Sequence, residues 1–425
     1  MPGRARIRAT IGALLISSHT VHPGDAKSRG ELALFIVVLG ALVGLGPFTI
    51  DLYLPAFPRL TADLGVPDSA IQLTLTGTTI GFGLGQLLVG PWSDRVGRRL
   101  PLLIATAVHV LACLGAAFAP DVVSLGVFRL LQGVGAAGGG VVAMAMVRDL
   151  FGGRPLVRML SRLALVTTLA PIVAPIIGGQ LLQFFDWRDL FLFLAGYGTL
   201  MIVLAVVFLG ETMPKARAHD AGHATMRDRY RSLFSDRIFI GVAIIGAMQF
   251  SGLFAYLSAS SFLFQDVYGF SPQQYGLVFG INSVGILIGN QASARLTRVV
   301  GPQWILAIAT GVQILTSIAL IAGVALGFGL PGVLVPLFLF IMACGFAFPC
   351  IQVLALANHG SEAGTAASLL GAVNFGVAGL TSPIVGLIGI STAAPMGLVM
   401  GVTAVIGCAS LWLVVRPRTV PALAD

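Results

Sequence analysis

Two ionisable side chains lie deep inside apolar stretches of the sequence, Asp51 and Arg129. A charged side chain at the centre of a membrane-spanning helix costs ~2.5–3.5 kcal/mol, which makes each of them a candidate functional residue. Burial raises the pKa of a carboxyl group, whereas a nearby cation lowers it. A small change of surroundings can therefore make such a group take up or release a proton. The alternatives are a carboxylate that caps the following turn, for Asp51, and a structural arginine bonded to backbone carbonyls, for Arg129.

The apolar stretches that carry these two residues allow them to meet. Arg129 lies eight residues into its stretch, or ~12 Å at the helical rise per residue. Asp51 lies about as far from the outer end of its own stretch, and the two helices are expected to run in opposite senses. Gln132 follows Arg129 by about one turn and shares its face. We therefore expect Asp51 and Arg129 to meet, directly or through water, at similar depth and facing a central cavity.

A short basic turn joins two long apolar runs, residues 71–89 and 100–119. Its sequence, Gly-Pro-Trp-Ser-Asp-Arg-Val-Gly-Arg-Arg, holds three arginines and one carboxylate. Arginine-rich short loops stay on the cytoplasmic side of a membrane, and glycine permits the reversal of the backbone. The pattern is more specific than a loop that only fixes topology requires, and such a loop is the alternative. The residues that define the pattern are Gly90, Asp94, Arg95, Gly97, Arg98 and Arg99.

The composition indicates an integral membrane protein. Apolar residues make up 56% of the 425 residues, charged residues only 10%, and the mean hydropathy is +0.94. A soluble chain of this length cannot hide so much apolar surface. The net charge of +8 does not indicate nucleic acid, because all but three of the 25 lysines and arginines fall on the side that we predict to be cytoplasmic. That distribution follows the positive-inside rule, for which anionic membrane lipid is a sufficient partner.

Twelve apolar segments are long enough to span a bilayer core of ~30 Å. The first six lie at 32–57, 71–91, 100–119, 122–146, 160–184 and 188–209. The second six lie at 238–264, 273–294, 302–326, 331–355, 363–388 and 392–415. We accordingly predict a cytoplasmic tail at 1–31, an N-terminal bundle at 32–209, a cytoplasmic linker at 210–236, a C-terminal bundle at 237–415 and a cytoplasmic tail at 416–425.

Polar and aromatic side chains on these segments are candidates for lining a cavity, although ordinary helix packing explains each of them at least as well. The cavity candidates are Tyr53, Gln132, Gln249, Phe250, Tyr256, Asn282 and Asn374. Prolines and small residues in the fourth and fifth segments permit helix bending and close helix crossing. The helix-packing candidates are Gly133, Pro171, Pro175, Gly178 and Gly179.

The basic turn closely resembles the loop between helices 2 and 3 of the major facilitator superfamily of secondary transporters. Four further stretches resemble the bicyclomycin-resistance (Bcr/CflA) drug:proton antiporters, at residues 51–58, 81–86, 129–138 and 170–179. The resemblance covers residues 32–415 and implies an all-α integral membrane fold, with twelve transmembrane helices in two six-helix bundles around a central cavity. The chain departs from the family at Ala174, where glycine is usual, and at Ser261, where proline is expected. Both departures concern helix bending and substrate range.

The resemblance also implies roles for the ionisable residues. Asp51 would take up the proton, and Arg129 would control its protonation. The basic turn would form a cytoplasmic gate, with Asp94 as its latch, and we infer that Arg98 and Asp149 share this latch. The gate residues of the turn would be Gly90, Asp94, Arg95, Gly97, Arg98 and Arg99. The latch is expected to close onto the positive N-terminus of the eleventh helix, near residue 365.

We therefore predict a proton-coupled secondary transporter that exports small lipophilic drugs by alternating access. A facilitator or symporter for a small metabolite is the alternative. An enzyme acting on lipid-linked groups needs clustered carboxylates at the membrane face, whereas Asp94 and Asp149 are isolated in the sequence. An ATP-driven pump is excluded, because neither Lys27 nor Lys215 lies in a phosphate-binding Gly-x-x-x-x-Gly-Lys loop.

The expected partners follow from this prediction. They are a small lipophilic substrate, protons and membrane lipid, without nucleic acid. We expect no metal and no cofactor, since the four cysteines fall inside apolar runs without the spacing of metal ligands. The expected location is the plasma (inner) membrane, as a multi-pass monomer with both termini in the cytoplasm.

Overall fold

The computed structural model describes residues 28–213, 226–297, 299–359 and 363–420. All the regular structure in these ranges is helical, and twelve helices are long and apolar enough to cross a membrane. The prediction of an all-α membrane protein with twelve transmembrane helices is therefore confirmed. Most of the predicted N-terminal tail, Lys215 and Arg217 of the predicted linker, and residues 421–425 lie outside the described residues.

The first six spanning helices, α1 to α6, form the half of the molecule that we call the N half. Helix α1 consists of Arg29–Asp51, a 3-10 turn at Leu54–Ala56 and a short extension at Phe57–Leu64. The other five helices are α2 (Asp68–Val96), α3 (Arg99–Ala117), α4 (Val122–Leu150), α5 (Gly153–Leu181) and α6 (Trp187–Phe208).

The remaining six helices, α7 to α12, form the C half. A linker helix, Met226–Ser235, precedes α7. The spanning helices are α7 (Arg237–Phe262, continued by a π-helical turn at Leu263–Val267), α8 (Pro272–Leu296), α9 (Pro302–Ala325), α10 (Pro331–Leu356), α11 (Ala363–Thr381 and Ile384–Ile388) and α12 (Ala394–Ser410, continued at Leu411–Val415).

Proline interrupts two of the predicted segments. The first predicted segment, 32–57, is not one straight helix, because α1 stops at Asp51 and resumes only after Pro55. Proline has no backbone N–H to donate and disfavours helical geometry in the residue before it. Pro383 causes the corresponding break in α11. Both breaks leave backbone groups in the interior that the helix itself does not satisfy.

Glycines allow the helices of the N half to approach closely. A side chain at Gly133 of α4 would collide with the carbonyl oxygen of Thr78 on α2, and one at Gly81 of α2 would collide with the carbonyl oxygen of Leu130 on α4. Small residues on both partners therefore let the two backbones touch, as in helix pairs that associate in lipid. This contact fixes α4, and with it Arg129, against α2.

The two halves meet through α2 with α11 and α5 with α8. We call the end of the molecule that carries the basic turn between α2 and α3 the basic end, and the opposite end the far end. A side chain at Gly179 of α5 would lie 2.6 Å from the carbonyl oxygen of Pro272 on α8, and one at Gly276 of α8 would lie 2.7 Å from that of Pro175 on α5. These contacts lie near the far end, so the halves are in intimate contact there.

Candidate functional site

A cavity of about 390 Å³ lies between the two halves. Seven helices contribute to its walls, which are mainly apolar. This volume is within the range of ligand pockets in proteins. The polar side chains on its walls include Thr167 and Thr168 at the middle of α5, and Asn290 and Gln352 toward the basic end of α8 and α10. The cavity therefore extends from the middle of the molecule toward the basic end.

Aromatic rings form one wall of the cavity. The ring of Phe250 packs against those of Phe348 and Phe375, with centroid separations of 5.2 and 5.1 Å, and lies 6.5 Å from that of Phe254. Phe82 is contributed by the N half, and its ring centroid lies 5.1 Å from that of Phe375. The five rings form a surface, the aromatic wall, that joins the halves and can contact a planar apolar ligand.

Asp51 opens onto this cavity at the break in α1. It is the last residue of the first part of the helix and is only 4% exposed. Among the residues that the structure describes, it makes no hydrogen bond and no ion pair with protein, and it is the one carboxyl group on the cavity wall. The end of the first part of α1 thus presents to the cavity an acid that has no partner among the described residues.

Arg129 lies inside the N half and does not line the cavity. It is fully buried, and its Nη1 donates hydrogen bonds to the carbonyl oxygen of Thr49 at 3.0 Å and to Oε1 of Gln132. Its guanidinium stacks on the ring of Tyr53, 3.8 Å from the centroid. Within the described part of the chain, no ion pair joins Arg129 to Asp51. The structure instead connects the two residues through the backbone at Thr49, two residues before Asp51.

Arg129 retains unused hydrogen-bonding capacity. Its Nε and Nη2 are buried without a partner, which is costly for a charged group. Gln132 completes the surroundings on the other side, because its Nε2 donates to Sγ of Cys113 at 2.9 Å. His109 contacts the carbonyl oxygen of Gln132 through Nδ1, at 3.2 Å. The result is a polar cluster that encloses one incompletely satisfied cation.

The structure separates the predicted cavity residues into two groups. Phe250, Tyr256 and Asn374 line the cavity. The other four lie behind the walls or in the interior of one half: Tyr53, Gln132, Gln249 and Asn282. Asn282 supports the cavity wall from behind, because its Nδ2 donates to the hydroxyl of Tyr256 at 3.1 Å.

Gln249 is the centre of a neutral polar contact in the C half. Its side-chain amide exchanges two hydrogen bonds with that of Gln313 on α9, at 2.7 and 2.6 Å. Both side chains are buried. The exchange uses one donor and one acceptor of each amide, so it binds Gln249 to α9 and holds it behind the cavity wall.

The basic turn forms a buried ion-pair cluster within the N half. Nη1 of Arg98 lies 2.5 Å from Oδ1 of Asp94, and its Nε lies 2.7 Å from Oδ2 of Asp149 on α4. Arg98 and Asp149 are buried, whereas the side chain of Asp94 is 65% exposed. Burial lowers the pKa of Arg98, but its hydrogen bonds to Asp149 and Asp94 and the charges of these carboxylates together raise it above its ordinary value. No bond joins Asp94 to Thr365 in the described residues.

Glu211 completes this cluster, and the sequence analysis gave it no role. Its carboxylate accepts hydrogen bonds from the backbone N–H groups of Arg98 and Arg99 at 2.9 and 3.1 Å, and it thereby ties the end of α6 to the start of α3. Gly97 makes room for it with φ = +100°, and a side chain there would lie 2.6 Å from Oε2 of Glu211. The sequence did carry one signal for this role of Glu211, because it is an acid at the end of an apolar segment on the side where arginines cluster. Gly90 and Arg95 make no hydrogen bond to this carboxylate among the described residues.

The C half carries its own cluster at the basic end. Asp236 precedes α7 and accepts hydrogen bonds from the N–H of Ile238 at 2.7 Å and from Nε2 of His359 at 3.1 Å. Burial raises the pKa of Asp236, but these bonds and one from Asn358 hold it below its ordinary value. The charged groups of these two clusters are therefore bound within their own halves.

The helix-packing candidates lie at close backbone contacts. Gly133 contacts α2, as described above. A side chain at Gly178 would collide with the carbonyl oxygen of Leu52, directly after Asp51, so this glycine positions α5 against the break in α1. Pro171 lines the cavity, and the carbonyl of Pro175 contacts α8. The described residues contain no cluster of His, Cys, Asp and Glu that could hold a metal ion.

The chain is similar to known membrane transporters over most of its length. Residues 37–383 match the family model described as the Major Facilitator Superfamily. An uncharacterised transporter of this superfamily from Bacillus subtilis, YdgK, is 36% identical over 94% of this chain and 98% of its own. A bicyclomycin resistance protein homolog from Haemophilus influenzae is 33% identical over 88% of this chain and 94% of its own.

Solved structures show the same fold. The crystal structure of a bacterial homologue of the human lysosomal transporter Spinster, inward-facing and unoccupied, superposes with a TM-score of 0.73 at 14% identity, covering 92% of this chain and 98% of that one. The predicted resemblance is thus confirmed. The twelve helices, the family match and these relatives together establish that the chain belongs to the Major Facilitator Superfamily, as a multi-pass membrane transporter and not an enzyme.

Proposed function

We propose that the chain exports small lipophilic compounds in exchange for protons, by alternating access of the central cavity to the two sides of the membrane. The observation that carries this proposal is the placement of Asp51, a buried carboxyl group without a protein partner on the wall of an otherwise mainly apolar cavity. A carboxylate in apolar surroundings is retained at a cost of several kcal/mol unless it is protonated. Proton uptake and release at Asp51 therefore change the free energy of the conformational state in which this carboxyl group is buried.

The substrate class follows from the surfaces around Asp51. The aromatic wall offers rings for apolar contact, and the volume of about 390 Å³ accommodates a small molecule. The name of the Haemophilus influenzae relative, a bicyclomycin resistance protein homolog, supports a role in drug export. A lipophilic compound would occupy the cavity beside Asp51, so that substrate and proton compete for the same state of the carrier.

We assign to Arg129 a positioning role in proton coupling. Its hydrogen bond to the carbonyl oxygen of Thr49 holds the end of the first part of α1, where Asp51 lies. Nε and Nη2 of Arg129 are free to take an acceptor when α1 moves. Arg129 thus acts on Asp51 in two ways, through the position of α1 and through the electrostatic field of its guanidinium.

The orientation in the membrane follows from charge. The basic end carries the arginines of the α2–α3 turn and of the linker helix, so we place it and both termini in the cytoplasm, at the plasma membrane. Asp94, Arg98 and Asp149 would then form the cytoplasmic latch. In the structure the halves touch at the far end and the cavity extends toward the basic end, which corresponds to an inward-facing carrier. We further propose that the N-terminal bundle comprises residues 32–209, the linker residues 210–236 and the C-terminal bundle residues 237–415. We also propose that the transporter works as a monomer.

Transport by purified protein in proteoliposomes tests the proposal. A panel of lipophilic dyes and bicyclomycin is loaded at the basic-end side, and an inward proton gradient is imposed from the far-end side. We expect the gradient to drive export by the wild type. Asp51→Asn should abolish gradient-driven export and retain exchange of labelled for unlabelled substrate without a gradient. The matched control, Asp228→Asn on the exposed face of the linker helix, should transport like the wild type.

Three outcomes would count against this function. Export by the wild type that ignores the pH gradient would reject proton coupling. Substrate movement in the same direction as the protons would indicate the symporter. Normal gradient-driven export by Asp51→Asn would remove Asp51 from the mechanism.

A further inference from the structure

The far end is closed by neutral hydrogen bonds that cross between the halves. Five side chains each bond to a backbone carbonyl of the opposite half, at donor–acceptor distances of 2.6–3.0 Å. We call these bonds the far-end ties. The donors are Gln72 and Thr76 of the N half, and Ser261, Gln265 and Gln273 of the C half.

Gln72 differs from the other four because it bonds to the opposite half through both ends of its amide. Its Nε2 donates to the carbonyl oxygen of Ser258 on α7 at 3.0 Å, and its Oε1 accepts from the backbone N–H of Gly386 on α11 at 3.0 Å. The side chain is fully buried. One residue of α2 thus holds two helices of the C half at once.

The break in α11 creates the group that Gln72 satisfies. Gly386 lies in the first turn after Pro383, where a backbone N–H has no acceptor within its own helix. A side chain at Gly386 would collide with Oε1 of Gln72, so glycine is required for the approach. Ser258 is fixed in turn, since its hydroxyl donates to the carbonyl oxygen of Ser382 at 2.8 Å. The two partners of Gln72 are therefore connected to each other around the break.

We propose that Gln72 is the positioning residue that keeps the far end closed, and that it sets the balance between the two states of the carrier. Alternating access requires the far end to open, and both bonds of Gln72 must break in that step because their acceptor and donor leave together with the C half. The bonds are neutral, so this closure works whether or not Asp51 carries a proton. The inference rests on membership of the transporter family and does not depend on drug export or proton coupling.

Spin labels on two exposed far-end loops test this role in the full-length protein in lipid nanodiscs. Labels at Phe184→Cys of the N half and Phe328→Cys of the C half report the distance between the halves, with Cys408→Ser removing the half-buried native thiol. Gln72→Met keeps the length of the side chain and removes both bonds. We expect the ratio of long to short distances to rise about tenfold, as two lost hydrogen bonds predict.

The control is Gln183→Met, which changes an exposed amide at the same end that bonds only to Gln180. Since this is its only side-chain bond within the described part of the chain, the variant should leave the distances unchanged. Gly386→Ala disrupts the same contact from the C half. It should also raise the ratio of long to short label distances. The double variant Gln72→Met/Gly386→Ala should shift it no further than the larger single change, because both remove one shared contact.

The proposal is overturned by unchanged distances in Gln72→Met, by an equal shift in Gln183→Met, or by additive shifts in the double variant. If Gln72→Met does not insert into the membrane, Gly386→Ala decides alone, and unchanged distances there overturn the proposal. The two proposals can fail separately. If export by the wild type ignores the proton gradient while Gln72→Met shifts the label distances as expected, the antiport function is refuted and the role of Gln72 stands.

Discussion

The two ends of the molecule are held together by different chemistry. At the basic end, Arg98 binds two carboxylates and Glu211 binds the backbone N–H groups of Arg98 and Arg99, and every one of these contacts lies within the N half. At the far end, the ties from Gln72 and Gln265 are neutral and cross between the halves. Charge thus stabilises one half internally, whereas neutral hydrogen bonds join the halves.

This difference indicates which contacts change during transport. A buried ion pair is costly to break, since each separated charge loses its partner in a poorly hydrated place. A neutral side chain bonded to a carbonyl exchanges its partner for water at a small net cost. Contacts of the second kind suit an interface that must open in every cycle, and contacts of the first kind suit a half that moves as one body.

The largest effect is expected at the basic end. Arg98→Ala removes the cation that binds Asp94 and Asp149, and the free energy of unfolding in detergent should fall by about 3 kcal/mol, as for other buried pairs that lose one partner. Gln265→Ala at the far end should cost about 1 kcal/mol. Denaturation of both variants measures the two losses, and Arg95→Ala, an exposed arginine of the same turn, serves as the control. Equal losses for Arg98→Ala and Gln265→Ala would contradict the comparison.

A second pair of variants compares two glycines with positive φ, one at each end. Gly97 at the basic end has φ = +100° and packs against Glu211, whereas Gly65 at the far end has φ = +63° and open space around it. Gly65→Ala should cost only the backbone penalty of about 1 kcal/mol. Gly97→Ala adds displacement of the Glu211 carboxylate, so a loss of about 2–3 kcal/mol is expected. Thermal unfolding of both variants measures the difference, and a smaller loss for Gly97→Ala would show that Glu211 contributes little.

Acid should weaken the basic end and leave the far-end ties unchanged. Burial raises the pKa of Glu211, but the backbone N–H groups of Arg98, Met213, Arg99 and Thr212 together hold it below its ordinary value of 4.5. A carboxyl group whose pKa is lowered in the folded state stabilises it above the ordinary value, and that contribution is lost as the pH falls through the lowered pKa.

We therefore expect the stability of the wild type to fall below about pH 4.5, with a shallower fall in Glu211→Gln. Unfolding curves from pH 7 to pH 3 measure the slopes. The loss caused by Gln265→Ala should be the same at pH 7 and pH 4, because its bond to the carbonyl oxygen of Pro55 involves no titrating group. A parallel fall in the wild type and in Glu211→Gln would remove Glu211 from the pH response.

Local patterns were sufficient to predict the twelve helices and most of the basic end. Segment length and hydropathy are properties of neighbouring residues, and the arginines of the turn all follow Asp94 within a few positions of the sequence. Glu211 was missed because it follows Arg98 by 113 positions and meets it only when α6 packs beside α3. The aromatic wall was missed for the same reason, since Phe82 reaches Phe375 only across the two halves.

The polar residues in the apolar segments were the hardest to interpret. Arg129 and Asp51 could be singled out because charge in a membrane is rare. Whether they touch depends on their placement in three dimensions: Asp51 lines the cavity, whereas Arg129 bonds to the carbonyl oxygen of Thr49 inside the N half. Gln72 has no such signal, because a neutral amide in an apolar helix resembles a packing residue until its partners are known.

The smallest effect is expected from the exposed ion pair between Arg188 and Asp63 at the far end. Nη1 of Arg188 lies 2.8 Å from Oδ2 of Asp63, and its guanidinium lies over the ring of Trp187, 4.1 Å from the centroid. Both charged side chains are more than one-third exposed, and all three residues belong to the N half. An exposed pair is screened by water and salt, so Arg188→Ala should cost about 0.5 kcal/mol in low salt and less in 1 M salt. It should also leave the label distances between Phe184→Cys and Phe328→Cys unchanged, because the pair does not cross between the halves. A shift in those distances would mean that charge does hold the far end closed, and the contrast between the two ends would fail at that point.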